Sequence, residues 1–109
     1  MAMEERLLEI LRLHKGRDRA ITGKDLAKIL GETDDRHVRS QIRDLIASGL
    51  PIASSVSFPH GYYIVETMKE ATDYMQSLRN RLIEDALRRR DFKRAVAKSF
   101  DGSGQLKMF

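Results

Sequence analysis

Between Thr22 and Glu66 the chain allows few arrangements, because helix-starting, helix-ending and turn residues follow one another at short intervals. Thr22-Gly-Lys-Asp25 is a Thr-x-x-Asp opening in which each side chain can cap the other's backbone N–H. Leu26, Ile29 and Leu30 then form an apolar stripe, and Gly31 stands where a helix end needs positive φ. A second helix follows, running from Asp34 to Ser48, with Asp34 and Asp35 at its positive dipole end. Its apolar residues Val38, Ile42, Leu45 and Ile46 fall at i, i+4, i+7 and i+8, and Gly49 closes it. The opposite face carries Arg36, Ser40 and Arg43, flanked by His37 and Arg39. Leu50–Val56 and Tyr62–Glu66 read as two strands joined by the Ser57–Gly61 turn.

This order of helix, Gly turn, basic helix and hairpin resembles the winged helix-turn-helix family, and most of all its small biotin-repressor-like members common among phage and prophage proteins. The likeness rests on Asp25-Leu-Ala-Lys-Ile-Leu-Gly31, Asp35–Leu45, Gly49-Leu-Pro-Ile52 and Gly61-Tyr-Tyr-Ile64, and covers about the first two-thirds of the chain. It implies a mainly α fold with a small β-hairpin wing; the residues after it read as a long C-terminal helix and a flexible tail. It also implies DNA as partner, with Arg36, His37, Arg39, Ser40 and Arg43 reaching the major groove. The turn ahead of the second helix is a residue longer than in that family, so Arg36 and His37 are both candidates to lead. The wing offers no Lys or Arg. Ser55 and Ser57 are its candidate phosphate contacts, and Phe58 either packs on a sugar, meets a partner or stiffens the turn.

Flanking this stretch, Met3–Lys15 is expected to be a first helix stopped at Gly16. Met3, Leu7, Ile10 and Leu11 lie on its inner face, and Leu8 and Leu13 widen the arc. Gly16–Arg19 is a charged turn. Lys15 just before it, and Arg17 and Arg19 within it, are either phosphate contacts or, on the blander reading, a solvated surface. Ala20-Ile21 offers a short third strand. Residues 1–66 thus form the winged domain.

Thr67-Met-Lys-Glu70 is a capping box, and with no Gly or Pro before Gly102 the helix it opens can run through residues 67–98. Met68, Ala71, Met75, Leu78 and Leu82 follow a 3-4-3-4 repeat, broadened by Tyr74, Ile83, Ala86 and Leu87. A homodimer through residues 68–87 and a helix folded back on its own domain both fit that seam.

Charge distinguishes the two parts. Residues 1–66 hold ten Lys/Arg and ten Asp/Glu, whereas residues 79–98 hold eight basic residues against three acidic ones, which accounts for the net charge of +4. Arg88, Arg89 and Arg90 are therefore read as a phosphate-tracking patch, against the alternative of a solvated charged face.

Residues 99–109 read as a flexible tail, with Asp-Gly-Ser-Gly as a leash. Gln105-Leu-Lys-Met-Phe109 resembles the bacterial sliding-clamp-binding pentapeptide. By that likeness Gln105 bonds the pocket rim while Leu106, Met108 and Phe109 fill an apolar cleft on the clamp. Lys107 departs from the pattern at a solvent-facing position.

Several classes are disfavoured. His14, His37 and His60 stand in different elements without ligand spacing, and no Gly-rich loop or nucleophile motif is present, so neither catalysis, metal nor cofactor is expected. The chain has no cysteine, and it has no apolar run approaching the ~20 residues of a membrane span. No membrane partner and a cytoplasmic location are expected. Three functions follow: a DNA-binding accessory of replication held to the clamp, a dimeric transcriptional regulator, and a winged-helix adaptor that binds protein only.

Overall fold

The computed structural model describes residues 2–100. In chain order these form helix α1 (Met3–Leu11), a 3₁₀ turn (Arg17–Arg19), α2 (Gly23–Leu30), α3 (Arg36–Ala47), strands β1 (Ile52–Ser55) and β2 (Gly61–Ile64), and α4 (Met68–Ser99). The fold is mainly helical, with one antiparallel two-stranded hairpin and a long C-terminal helix. It divides into two compact units, the first ending at Tyr74 and the second beginning at Met75.

The first unit is built on one apolar cluster. Leu7 and Leu11 of α1, Leu26, Ala27 and Leu30 of α2, and Val38, Ile42 and Leu45 of α3 meet there with Ile21 and Ile52. Fully burying one such Leu or Val stabilises the fold by about 1.5–3 kcal/mol, so this cluster holds the three helices together. Two local signals set the helix ends as read: the Thr22 hydroxyl accepts from the Asp25 N–H at 3.0 Å, and Gly31 caps α2 at φ 76°. Only half of the expected reciprocal cap at Thr22 and Asp25 forms. At α3 the capping carboxylate is that of Asp34, which accepts the Arg36 N–H at 3.0 Å.

The hairpin pairs Ile52 with Ile64, Ala53 with Tyr63, Ser54 with Tyr62 and Ser55 with Gly61. Ile21 exchanges hydrogen bonds of 2.9 and 2.7 Å with Tyr62, so the expected third strand is a single-residue bridge. This bridge explains Gly61. Its φ is 119°, and a Cβ there would run into the Ile21 carbonyl.

Four readings of the sequence are corrected. Helix α1 ends at Leu11, four residues before Lys15, because the chain turns away to bond β2: the Gly16 N–H donates to the Ile64 carbonyl and the Ile64 N–H to the His14 carbonyl. Leu13 lies beyond that turn and is 73 % exposed. Ile29 and Ile46 lie on the helical rims and are 53 % and 45 % exposed. Both strands are also shorter than read: the Val65 N–H still bonds the Pro51 carbonyl opposite it, but Pro51 has no N–H to return the bond and the ladder ends there.

Helix α4 begins with Thr67 accepting the Glu70 N–H at 3.1 Å. Glu70 does not complete the usual box. Its carboxylate accepts the Glu66 N–H at 2.8 Å and, from the 3₁₀ turn, the Arg17 N–H at 2.7 Å. The opening of α4 is thereby tied to the first unit, where Ala71 and Tyr74 are half-buried. Beyond Tyr74 the described residues leave most of the apolar seam open. No residue of α4 is buried, and Met68, Met75, Leu78, Leu82, Ile83 and Leu87 are all exposed. Among the described residues no helix is long and apolar enough to cross a membrane.

Candidate functional site

The 3.6-residue period fixes what α3 presents. Because Val38, Ile42 and Leu45 point into the core, Arg36, Ser40 and Arg43 stand on the outer side, and all three are exposed, as are His37 and Arg39. The helix therefore presents one polar, arginine-bearing flank to solvent.

Not all of that charge is free. Arg36 lies 3.5 Å from the Asp34 carboxylate, and Arg39 donates to Asp35 at 2.8 Å, one helical turn away. That hydrogen bond, followed by the charge of Asp35, raises the Arg39 pKa above its ordinary value. His37 lies 3.4 Å from a Glu32 oxygen. Arg43 has no ion pair among the described residues. The N-terminal half of α3 is thus neutralised at the surface, while its C-terminal half keeps an unpaired cation. Exposed pairs of this kind contribute little, because water screens them, so they can be exchanged for a phosphate at small cost.

Tyr62 of the hairpin is near enough to this flank to sense its charges. Burial pushes the Tyr62 phenol up, and the nearby Arg39 and Arg43 charges act in the opposite direction. On the hairpin, Ser55 and Ser57 stand beside each other, but they are not vacant. Both hydroxyls accept hydrogen bonds from the Arg17 guanidinium, whose Nε lies 3.3 Å from Ser55 Oγ. Sequence reasoning left Arg17 open as a solvated turn residue. A partner about forty positions distant gives no local signal, and only the cation-free hairpin hinted that one was needed. Phe58 is 88 % exposed and stands edge-on to the His60 ring at 6.4 Å between centroids.

Arg88, Arg89 and Arg90 lie in the second unit and are exposed. Arg88 is 3.7 Å from Asp85 and Arg90 is 3.2 Å from Asp91, while Arg89 has no ion pair among the described residues. Gln105, Leu106, Met108 and Phe109 lie outside the described residues.

An open groove of about 330 Å³ beside α2 is lined by Lys24 and Lys28 together with Glu32, Asp34 and Asp35. Its mixed lining matches neither a polyanion nor a polycation. Among the described residues no His, Cys, Asp and Glu grouping could hold a metal ion. No family model, curated protein or solved structure matches this chain.

Proposed function

We propose that the first unit is a winged helix-turn-helix module that binds duplex DNA, with α3 as its recognition helix. Arg36, Arg39, Ser40 and Arg43 would face bases and phosphates, with His37 at the leading edge and the β1–β2 hairpin as the wing. One observation carries the reading: the Arg36–Ser40–Arg43 flank is exposed while the opposite flank of the same helix is buried. A helix held by one side with donors arrayed on the other fits a major groove. Arg88, Arg89 and Arg90 add a diffuse attraction to the phosphate backbone.

The fuller proposal is a phage- or prophage-type accessory protein of DNA replication in the cytoplasm, tethered to the bacterial sliding clamp through Gln105, Leu106, Met108 and Phe109. Tethering raises local concentration, so a modest affinity for DNA suffices. Titrating purified clamp by calorimetry tests the tether. The intact chain should give saturable heat and a version ending at Gly104 should give none, with duplex affinity the same for both. Equal heats from the two proteins refute it.

A second reading has its own support. The exposed apolar residues of α4, among them Leu82 at 71 %, suit a dimeric regulator joined through that helix. Light scattering separates the readings, since a monomer at working concentration excludes the dimer.

A further inference from the structure

We propose that Arg17 and Ser57 form a phosphate-binding site at the tip of the β1–β2 hairpin, a second contact to the backbone of duplex DNA apart from α3. It rests on the DNA-binding reading above and adds to it a residue from outside both the recognition helix and the wing.

The hairpin has no Lys or Arg anywhere between Ile52 and Ile64. Its cation comes from the 3₁₀ turn instead. Arg17 donates from Nε to Ser55 Oγ and from a terminal nitrogen to Ser57 Oγ. A guanidinium carries five N–H donors, and these two bonds leave the remaining three unused. Ser55 donates its own proton to the Ser57 carbonyl at 2.8 Å, so it has no donor left for a phosphate. Ser57 accepts from Arg17 and donates to no described residue, so its proton remains available.

Nearby acids do not occupy the guanidinium. Glu70 spends its carboxylate on the main-chain N–H groups of Arg17 and Glu66, and Arg17 makes no ion pair among the described residues. The bond from the Arg17 N–H to Glu70, together with the two serines, holds Arg17 at both ends of the side chain while it stays exposed. A held guanidinium with free donors beside a hydroxyl is suited to a phosphodiester oxygen. The competing role is a tether that merely pins the hairpin tip to the turn. The two roles differ in their response to salt, because only a phosphate contact releases counterions.

The test is fluorescence anisotropy of the intact chain on a labelled duplex across a salt series, with unfolding followed in parallel. Arg17→Gln should weaken binding roughly three- to tenfold and flatten the slope of log K against log salt by about one. Ser57→Asp places a carboxylate against Arg17, preserving the tether while cancelling its charge toward DNA. It should flatten the slope to a similar extent, and it serves as the test should Arg17→Gln fail to fold. A mere tether predicts an unchanged slope for Ser57→Asp. If the unaltered chain binds duplex and the folded variants keep its slope, the Arg17 site is wrong and the α3 reading stands. If the unaltered chain shows no salt-sensitive binding, the DNA reading fails and the site with it.

Discussion

Leu7, Leu11, Leu26 and Val38 have no exposed surface, whereas no residue of α4 is buried and Leu82 is 71 % exposed. The same kinds of side chain, at similar helical spacing, thus meet opposite fates in the two units. In the first, three short helices share one apolar cluster, and packing supplies what their short lengths cannot. In the second, from Met75 onward, the helix is held by local terms: no Gly or Pro interrupts it, and exposed pairs such as Gln76–Asn80 at 2.9 Å span single turns. Apolar spacing alone therefore does not tell a core stripe from an uncovered one. What differs is the presence of a second element at the right distance.

The largest expected effect tests that contrast directly. Leu26→Ala should destabilise the first unit by about 3 kcal/mol, as removal of a fully buried leucine does, whereas Leu82→Ala should change stability by less than about 0.5 kcal/mol. Urea unfolding measures both. A large loss from Leu82→Ala, growing with protein concentration, would mean that α4 is covered by another copy. Next in size is Gly61→Ala. The left-handed φ and the collision with the Ile21 carbonyl should together cost about 2 kcal/mol or more and open the Ile21–Tyr62 bridge, which amide exchange at Ile21 and Tyr62 would report.

A smaller effect is expected where the units' shared helix begins. Glu70→Ala removes the acceptor for the Arg17 and Glu66 N–H groups and should cost about 1 kcal/mol. Those bonds, that of Arg17 first, hold the Glu70 pKa below its ordinary value of 4.5. A carboxylate with a lowered folded-state pKa stabilises fully above its ordinary value, and that contribution is lost as pH falls through the folded value. Unfolding curves of the parent and Glu70→Ala should therefore differ at neutral pH and converge in acid. The smallest effect belongs to the tail: ending the chain at Gly104 should leave the unfolding midpoint unchanged.

Much of the first unit was legible because its signals are local. The Thr22 cap, the Gly31 stop and the Val38–Ile42–Leu45 stripe each involve residues within a few positions of one another, and the Thr67 hydroxyl cap marks the start of α4. What was not legible depends on distant partners. Helix α1 stops early because His14 and Gly16 bond Ile64, some fifty residues on. Arg17 finds Ser55 and Ser57 at separations of 38 and 40 residues. Leu13, Ile29 and Ile46 look like core in a one-dimensional pattern, yet sit where no neighbouring element covers them. Neutralisation of Arg39 by Asp35 lies between these cases, since the partners are only four residues apart yet the spacing alone does not say that the pair forms.

The central claim is that the outer flank of α3 meets a polyanion. Its most direct measurement is duplex affinity across a salt series for the parent chain and for Arg43→Gln, which removes the one arginine of that flank with no ion pair among the described residues. The account expects binding that weakens linearly in log salt, and a slope flattened by about one in the variant without loss of folding. Binding that ignores salt, or a variant indistinguishable from the parent, would contradict it.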